Sequence, residues 1–363
     1  MKKPISKNNK VIVAMSGGVD SSVAALLMKE QGYDCTGITM KLYDNEDVGL
    51  KKENTCCSVD DIADARAVCC NLGIPYYVFN FRDSFNEQVI DRFIKAYEEG
   101  ATPNPCIDCN RYIKFDRLMH RMKELDMDYV VTGHYAQIEY SEKYNRYILK
   151  KAVDNSKDQS YVLYSLTQEQ LKHTLFPLGS MTKEEARVVA EKHNFINARK
   201  HDSQDICFVP NGKYAEFIEE YTGKKYPCGD FVDLKGKVLG QHKGIIRYTI
   251  GQRKGLGLAL PSPMYVCKKD LENNKVILCS NEELFSKELY ANNINLITCD
   301  KIEKPLKIKA KVRYNQQEQP ATVTQVDDDR LHIVFDEPQR AISKGQAVVL
   351  YEGDVVVGGG TIE

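Results

Sequence analysis

The sequence predicts an α/β protein: an N-terminal domain with a parallel, Rossmann-like sheet, a small central domain, and a C-terminal antiparallel β-barrel. Three observations support this class. Strand and helix patterns alternate over about the first two hundred residues, Gly and β-branched residues become more frequent past about Asp205, and the last seventy or so residues alternate apolar with polar positions. Alternating strands and helices indicate βαβ units, whereas evenly spaced short strands indicate an antiparallel barrel or sandwich.

Seven elements of the N-terminal region follow from apolar periodicity and turn residues. Short apolar runs indicate buried strands, and amphipathic stretches that end at Gly indicate helices. Crossovers between the parallel strands are expected to be right-handed. The predicted strands cover 11–15, 33–43, 75–81 and 128–133, and the predicted helices cover 21–31, 59–73 and 115–125.

Changes in composition divide the chain into three predicted domains. Short apolar runs joined by Gly turns characterise the second, and acidic turns between alternating strands characterise the third. The expected boundaries are 1–210 for the α/β domain, 211–282 for the central domain and 283–363 for the barrel.

Composition predicts a cytoplasmic globular protein. The 363 residues are 42% hydrophobic with a formal net charge of −1, and no apolar run approaches membrane-spanning length. The basic start leads directly into a strand that is too short for the apolar core of a signal peptide. A nearly neutral chain must bind a polyanion through local basic patches, so composition neither indicates nor excludes a nucleic acid. A monomer is expected.

Twelve cysteines in such a chain favour metal, redox or catalytic roles over a structural disulfide framework. Most are still expected to be small buried hydrophobes, and Cys69 and Cys70 are expected to pack in the core from an apolar helix. Cys56 and Cys57 could add ligands to a zinc site, but adjacent cysteines have poor ligand geometry, so zinc is not favoured.

The segment Ser16-Gly17-Gly18-Val19-Asp20-Ser21-Ser22 lies where the first strand meets the first helix. Glycines bring backbone amides close to phosphate oxygens, and the helix N-terminus and the serine hydroxyls favour an anion there. The Walker A lysine is absent, which favours a site that binds a pyrophosphate group over one that acts on a γ-phosphate. A glycine-rich turn with a serine cap is the alternative. The segment resembles the PP-loop of the adenine-nucleotide α-hydrolase-like superfamily, whose members cleave ATP between the α and β phosphates.

The segment from Thr102 to Asn110 contains Cys106 and Cys109 beside two prolines. Prolines are expected to fix an extended loop and to exclude regular helix. A cysteine on a rigid loop is placed for reaction, although a CxxC pair can also be a dithiol or half of a zinc site. A third segment, Asp202–Phe208, places Cys207 beside Ile and Phe, which by itself is typical of a core residue.

Nine segments in one order make the resemblance specific, and they span essentially the whole chain. Together they resemble the tRNA-specific 2-thiouridylase family, called MnmA in bacteria and TrmU elsewhere. They are SGGVDSS, TPNPCIDCNRYIKF, TGHYA, KDQSYVLY, DSQDICF, YTIGQRKGLG, RYNQ, FDEPQRAIS and the terminal GGGTIE.

The resemblance implies roles position by position. The implied ATP site comprises Ala14, Met15, Ser16, Gly17, Gly18, Val19, Asp20, Ser21, Met40 and Gly133. Cys109 corresponds to the nucleophile and Cys207 to the cysteine that carries a persulfide. The implied tRNA contacts are Asn104, Pro105, Cys106, His134, Lys157, Asp158, Gln159, Arg313, Tyr314 and Gln346. Ordinary structural roles are the alternative for these contacts, such as strand alternation for Arg313 and a solvated turn for Lys157.

The implied reaction is ATP-dependent 2-thiolation of the wobble uridine in Lys, Glu and Gln tRNAs. ATP would adenylate the C2 carbonyl, with Mg²⁺ on the pyrophosphate oxygens. Sulfur would come from a cysteine desulfurase or a sulfur-relay protein and pass through Cys207. The persulfide either attacks C2 directly or is attacked by Cys109 to release hydrosulfide, and both routes leave a disulfide that must be reduced.

Cys106 departs from the pattern, because members of the family often have Asp at this position. The thiol removes a general base and opens a second mechanism, in which Cys106, Cys109 and Cys207 hold an iron–sulfur cluster. We favour the disulfide route, since the resemblance requires Cys109 and Cys207 whereas position 106 varies.

Two rivals come from other classes. A PP-loop ligase or amidotransferase for a small substrate would form AMP without tRNA, but the chain lacks a glutaminase domain and has the paired cysteines. A non-catalytic RNA- or zinc-binding protein would turn over no ATP and would hold zinc tightly.

Overall fold

A computed structural model describes residues 9–43, 59–200, 206–209 and 212–363. The chain divides into two compact units. Unit 1 falls within Met1–Ile90, Cys106–Gly212 and Asp354–Val357, and unit 2 within Asp91–Pro105, Lys213–Gly353 and Gly358–Glu363. Each unit is therefore built from separated stretches of the chain.

The strands and helices are as follows. The strands are β1 (Lys10–Ala14), β2 (Asp34–Lys41), β3 (Tyr76–Asn80), β4 (Tyr129–Val131), β5 (Gln137–Ser141), β6 (Arg146–Lys150), β7 (Thr174–Leu175), β8 (Gly229–Asp233), β9 (Val238–His242), β10 (Tyr265–Asp270), β11 (Lys275–Cys279), β12 (Phe285–Leu296), β13 (Leu306–Lys311), β14 (Gln319–Asp327), β15 (Arg330–Arg340), β16 (Ala347–Glu352) and β17 (Val355–Ile362). The α-helices are α1 (Val19–Glu30), α2 (Val59–Leu72), α3 (Arg82–Phe85), α4 (Asp91–Glu98), α5 (Pro105–Asp108), α6 (Leu118–Glu124), α7 (Ser160–Leu163), α8 (Gln168–Lys172), α9 (Lys183–Lys192) and α10 (Tyr214–Thr222). Asn86–Ile90 and Cys109–Arg117 are π-helical, and Pro177–Ser180, Ile245–Arg247 and Glu282–Leu284 are 3₁₀ turns.

Unit 1 contains a five-stranded parallel sheet in the order β3-β2-β1-β4-β7. β1 lies at its centre, and Val11, Ile12 and Val13 are fully buried. A central parallel strand is covered on both faces, which explains its continuous apolar run. The C-terminal ends of β1, β2 and β4 lie at one edge, where a ligand site of an open α/β sheet is expected.

A hairpin of β5 and β6 extends unit 1. The last strand of the chain returns to it, because Val355 and Val356 pair with Lys150 and Leu149 of β6. Four residues near the C-terminus thus belong to the same unit as β1.

Unit 2 contains a small sheet and a closed barrel. The sheet has the order β10-β11-β8-β9, with only β11 and β8 parallel. The six-stranded antiparallel barrel has the order β12-β15-β14-β13-β16-β17 and closes where β12 pairs with Gly358–Ile362. Along β15, Leu331, Ile333 and Phe335 are buried and alternate with half-buried residues, as a barrel strand requires.

The predicted fold class is confirmed: a parallel α/β sheet, a small central sheet and a C-terminal barrel. The domain boundaries at 210/211 and 282/283 stay a prediction. No described helix is both long and apolar enough to cross a membrane.

The extended loop predicted at Thr102–Asn110 is partly wrong. Thr102 and Pro103 lie outside any helix, but α5 begins at Pro105, and Cys109 begins the π-helical segment. Proline is well suited to the first position of a helix, where its missing N–H has no partner to lose and its φ is already helical.

The expectation for Cys69 and Cys70 is half correct. Cys69 is fully buried, whereas Cys70 is exposed. Neighbouring positions of a helix point about 100° apart, so both side chains cannot face the same core.

Candidate active site

The segment from Ser16 to Ser22, which is predicted to bind phosphate and is called the phosphate loop below, leads from the end of β1 into α1 in unit 1. Met15 continues the strand, its N–H donating to the Ile38 carbonyl at 2.8 Å, and α1 begins at Val19. Gly17 has a φ of 74°, a left-handed conformation that favours glycine. A Cβ at Gly17 would lie 2.4 Å from the Asp61 carbonyl oxygen, so α2 packs directly against the loop. Both the turn and the close approach therefore require glycine at this position.

The three serines of the loop have different positions. Ser21 and Ser22 are buried, and their hydroxyls donate to the Gly18 carbonyl at 2.9 and 3.1 Å. The Ser16 N–H donates to Ser21 Oγ at 3.2 Å, while Ser16 itself is exposed. Ser21 and Ser22 thus shape the turn, and the hydroxyl of the exposed Ser16 lies 3.3 Å from Ser21 Oγ.

Asp20 lies in the first turn of α1 and binds a lysine that the sequence reasoning missed. The Lys183 Nζ donates to both Asp20 carboxylate oxygens, at 2.7 and 2.9 Å, and the Tyr135 hydroxyl donates to Oδ1 at 2.8 Å. The Lys183 side chain is 6% exposed and that of Asp20 is 33% exposed. A buried ammonium group therefore lies directly beside the phosphate loop.

Lys183 is the first residue of α9, an unusual place for a cation because the helix N-terminus is already partly positive. Thr182 caps this helix and forms a reciprocal capping box with Glu185, and the Lys183 N–H donates to the Asp154 carboxylate at 3.0 Å. Asp154 thus binds the N-terminus of α9, while Asp20 lies in the first turn of α1 and compensates the Lys183 ammonium. Such a region suits an anion with several charges.

The remaining predicted nucleotide positions surround this loop. A Cβ at Gly133 would lie 2.8 Å from the Asp20 carbonyl carbon and the Ser21 nitrogen, so the end of β4 packs against the start of α1. Met40 is half-buried at the end of β2, next to Thr39, whose hydroxyl donates to the Met15 carbonyl at 2.7 Å. The predicted set from Ala14 to Ser21, with Met40 and Gly133, therefore lies at one edge of the sheet.

His134 is a buried imidazole rather than a surface one. Its Nδ1 lies 2.6 Å from the Thr132 hydroxyl, and the rings of Phe115 and Phe176 lie 5.8 and 5.7 Å away. Burial, with a smaller contribution from Lys114, holds the pKa of His134 well below its usual value. The ring is neutral at physiological pH.

The predicted tRNA positions 157–159 lie between β6 and α7, where Lys157 ends a turn and Asp158 and Gln159 follow it. Asp158 accepts from the Ala152 and Ser160 N–H groups at 3.1 and 3.2 Å and from the Ser160 hydroxyl at 2.7 Å. Gln159 accepts from the Tyr135 N–H at 2.9 Å. These two side chains hold the segment that leads into α7, and the neighbouring Lys157 is half-buried.

The cysteines differ in exposure. Cys109 is 8% exposed, Cys106 is exposed and Cys207 is half-buried. The Tyr43 hydroxyl donates to the Cys207 carbonyl at 2.8 Å, and the Phe208 ring packs against Phe85 at 5.7 Å. Cys56 and Cys57 lie outside the described residues. Within the described ranges, no three His, Cys, Asp or Glu side chains are grouped to hold a metal, so Cys106, Cys109 and Cys207 do not form a cluster site in this structure.

The predicted tRNA positions of unit 2 include two structural anchors. Arg313 Nη2 donates to the Ala341 carbonyl at 2.7 Å, to Ser343 Oγ at 3.0 Å and to the Ile250 carbonyl at 3.3 Å. Tyr314 is 36% exposed, with the Lys311 Nζ 5.7 Å from its ring centre. Arg313 thus joins three of the motifs noted in the sequence.

Gln346 fixes the segment that leads into the cysteine pair. Its Nε2 donates to the Thr102 carbonyl at 2.7 Å, and the Thr102 N–H donates to the Lys344 carbonyl at 2.8 Å. Asn104 is half-buried and Pro105 is buried. Gln346 therefore holds the backbone two residues before Asn104.

Three family models match the chain in succession. They are described as the tRNA methyl transferase HUP domain over residues 9–211, the tRNA methyl transferase PRC-barrel domain over 215–280, and the aminomethyltransferase beta-barrel domain over 286–362. With the phosphate loop at the edge of the parallel sheet, these matches define a HUP-domain enzyme with two appended β domains.

Relatives specify the family within this class. A tRNA-specific 2-thiouridylase MnmA from Clostridioides difficile is 53% identical over 98% of both chains. The same protein from Acetivibrio thermocellus is 52% identical over 98% of this chain and 99% of its own. The chain belongs to the tRNA-specific 2-thiouridylase family, MnmA, and is a sulfurtransferase.

A solved structure of a 4-thiouridine synthetase–RNA complex with bound ATP is a weaker match. It is 16% identical, covers 59% of this chain and 50% of its own, and has a TM-score of 0.35.

Proposed function

We propose that this enzyme converts the wobble uridine of Lys, Glu and Gln tRNAs to 2-thiouridine by adenylating the C2 carbonyl and transferring sulfur from a cysteine persulfide. The observation that carries the proposal is the phosphate loop of unit 1, where Gly17 and Gly18 precede Asp20 and the Asp20 carboxylate binds the buried Lys183 ammonium. This loop lacks a Walker A lysine, but Lys183 supplies a cation from elsewhere in the fold. The loop and this cation together support a site at which ATP is cleaved at the α-phosphate.

Adenylation makes the uridine oxygen a leaving group. O2 attacks the α-phosphorus, the bond to the bridging oxygen breaks, and pyrophosphate leaves with the electron pair. Backbone amides of the loop, the N-terminus of α1 and the Lys183 ammonium would stabilise the charge that develops on pyrophosphate.

Magnesium fits the donors that the loop offers. Asp20 has a hard carboxylate and Ser16 an exposed hydroxyl, whereas the described residues contain no protein-only metal site. An ion bound mainly by phosphate oxygens needs few protein ligands, and it would neutralise charge on the triphosphate.

Sulfur transfer uses Cys207 and Cys109. In the first route the terminal sulfur of the Cys207 persulfide attacks C2, AMP leaves with O2, and Cys109 then attacks Cys207 Sγ to free the thiocarbonyl. In the second route Cys109 attacks Cys207 Sγ first, and the hydrosulfide released attacks C2. Both routes form a Cys109–Cys207 disulfide, which a two-electron reductant must open.

The tRNA would be recognised by the predicted contact positions. The exposed Tyr314 offers a ring for stacking on a base, and Cys106 is exposed at the start of the cysteine pair. A cysteine desulfurase or a sulfur-relay protein would load Cys207, and the enzyme would act as a cytoplasmic monomer.

The test is nucleoside mass spectrometry of tRNA after incubation with the enzyme, ATP and a persulfide donor. We expect 2-thiouridine together with AMP and pyrophosphate, both dependent on tRNA. ADP and phosphate would contradict the adenylation step, and AMP formation without tRNA would favour a small-substrate ligase.

A further inference from the structure

Residues 251–255 of the motif YTIGQRKGLG, called the basic loop below, form a hydrogen-bonded loop of unit 2 that the proposed chemistry does not use. The Gly251 N–H donates to the Val266 carbonyl at 2.7 Å, and the Val266 N–H donates to the Gln252 carbonyl at 2.9 Å, so the loop is attached to β10. The Gln252 side chain accepts from the backbone N–H three residues earlier and donates to the Lys254 carbonyl, both at 3.0 Å. One side chain therefore fixes the backbone on both sides of the loop tip.

Two exposed cations lie at the tip of the basic loop. Arg253 and Lys254 are both exposed, and neither forms an ion pair with a carboxylate in the described part of the chain. Arg247, by contrast, binds Glu216 at 2.8 Å and Glu219 at 2.6 Å. The charges of Arg253 and Lys254 are therefore open to an anion from solution, and the fixed backbone lowers the ordering cost of binding one.

Two arginines lie against the start of the basic loop. Gly251 has a φ of 85°, and a Cβ at this position would lie 2.7 Å from Ala341 Cβ. The same point lies 3.4 Å from Arg340 Nη1 and 3.9 Å from Arg313 Nη2, and Arg313 also donates to the Ile250 carbonyl at 3.3 Å. The charges of these two guanidinium groups add to the positive potential around the loop.

This surface fits a polyanion that carries phosphate groups. The chain has a formal net charge of −1, so a nucleic acid must bind through a local group of cations such as this one. Arginine matches a phosphate with two parallel N–H donors, and lysine supplies a point charge. Tyr314, next to Arg313, is 36% exposed and offers a ring on which a base can stack. An acidic protein would use the cations but not this ring, so RNA fits the surface better.

We propose that the basic loop binds the phosphate backbone of tRNA through Arg253 and Lys254. The proposal rests on the proposed function, because it takes tRNA as the substrate, and it adds a binding surface outside the contacts that the sequence resemblance implies. Contacts with phosphate do not read base sequence. The loop therefore contributes affinity for tRNA in general, and the choice among tRNAs lies with other positions.

The experiment measures binding of a fluorescein-labelled lysine tRNA by anisotropy over a series of potassium chloride concentrations. We expect the double variant Arg253→Ala with Lys254→Ala to bind about tenfold more weakly at low salt, from the loss of two charge-assisted contacts. The slope of log affinity against log salt should fall by about one to two, because these phosphates are no longer neutralised. In thiolation assays the KM for tRNA should rise by a similar factor with kcat unchanged, since the contact is made equally in the ground state and the transition state.

Lys235→Ala with Lys237→Ala is the matched control, because these lysines are two exposed cations of another hydrogen-bonded turn in unit 2. Their N–H groups both donate to Asp233 Oδ1 at 2.9 Å. This control should keep both the affinity and the salt slope, and Arg253→Lys with Lys254→Arg should keep the salt slope because it preserves both charges. Thermal unfolding of each variant separates a lost contact from lost folding.

The outcomes separate this proposal from the proposed function. If the unaltered enzyme binds no tRNA, the proposed function fails and the basic loop loses its role with it. If the unaltered enzyme binds tRNA but the Arg253 and Lys254 double variant keeps its affinity and slope, or the control loses as much, the proposal alone is overturned. If the double variant keeps tRNA affinity but is loaded more slowly at Cys207 by the persulfide donor, the loop binds the donor protein instead, which also overturns the proposal.

Discussion

Asp20 and Lys183 place opposite charges where the proposed pyrophosphate would leave. Asp20 accepts three hydrogen bonds, two from Lys183 and one from Tyr135. The proposed triphosphate would bring further negative charge to the Lys183 ammonium, and the Asp20 carboxylate would be a hard ligand for magnesium. Each side chain would then keep a partner of opposite charge, which avoids an uncompensated buried charge.

We predict that Lys183→Met lowers tRNA-dependent AMP formation by about a hundredfold or more, because a cation aimed at the leaving group is lost. The variant should also lose on the order of 2 kcal/mol of stability, since Asp20 is left unpaired but is one-third exposed. The double variant Asp20→Asn with Lys183→Met should regain stability without regaining AMP formation. Product assays and thermal melts check both effects, and normal AMP formation by Lys183→Met would remove the lysine from the site.

A separate prediction concerns the three cysteines of the proposed sulfur chemistry. Cys109→Ser and Cys207→Ser should each abolish thiolation, whereas Cys106→Ser should retain much of it, because Cys106 is exposed and takes no part in the disulfide route. Cys70→Ser is the control, since Cys70 is exposed on α2. The measurement is 2-thiouridine per tRNA together with the iron content of anaerobically purified enzyme. Equal loss in all three variants with bound iron would establish the cluster mechanism instead.

Lys269 in unit 2 is a buried amine whose charge destabilises the fold. Burial lowers its pKa from 10.5 to about 8, and its buried Nζ has no hydrogen-bond partner. The unfolded chain binds more protons than the folded chain between these two values, so stability from this group rises with pH from about 8 to 10.5. Below pH 8 the full cost is present.

Lys269→Met should therefore stabilise the enzyme at pH 7 by about 2–3 kcal/mol and should lose most of this advantage by pH 10. The control is Lys268→Met, the exposed neighbour on the same strand, for which no gain is expected. Thermal unfolding at the two pH values measures the difference. An equal gain at both values would show that packing, rather than charge, is responsible.

Among the structural elements, the helix that begins at Pro105 explains why sequence reasoning about the cysteine pair was incomplete. Two prolines indicated an extended loop, but a proline at a helix start is as favourable as one in a loop. The pattern alone could not distinguish these cases. Cys109 consequently lies within a helical segment and is 8% exposed. An exposed position on a loop therefore does not explain how it would reach a base.

Substitution of Arg313 tests how several segments of unit 2 are held together, rather than a single contact. Its guanidinium binds backbone from the Ile250 turn and from the segment at Ala341 and Ser343, so Arg313→Ala should lower the stability of unit 2. If Arg313 also binds a tRNA phosphate, the variant should bind tRNA more weakly, and the salt slope of binding should fall by about one. ATP-analogue affinity should not change. Arg330→Ala, whose ion pair with Glu363 is exposed, is the control for a lost barrel arginine.

An unchanged salt slope with a lower melting temperature would assign Arg313 a purely structural role. Gln346 poses the same question, because its amide is bound to the Thr102 carbonyl. Sequence resemblance could assign both residues to the substrate site. It could not distinguish a structural role in fixing a loop from a direct contact with RNA.

At the scale of the whole molecule, the fold class was predictable from two patterns of apolar residues and a change in composition. Burial on both faces of β1 leaves a continuous apolar run, whereas burial on one face of β15 leaves alternating apolar and polar residues. The glycine turn between β1 and α1 was equally predictable, because its signal is local, and its role in binding phosphate stays a prediction. Lys183, which binds Asp20, was not predictable, and neither were Asn197 and Lys200, which donate to the Gly17 carbonyl at 2.9 and 3.4 Å. All three reach the loop from more than 160 positions away along the chain. No spacing rule connects a buried lysine at a helix start to a glycine loop at that distance.

The return of Val355 and Val356 to β6 has a consequence for biosynthesis. The β-strand edge that they cover belongs to a unit whose other strands lie in the first half of the chain. During translation this edge stays open until Val355 and Val356 have been synthesised, and an open edge can pair with another nascent chain. A frameshift or premature stop before Val355 would therefore leave the edge of unit 1 uncovered, and the shortened chain would be prone to aggregate rather than remain a sound catalyst.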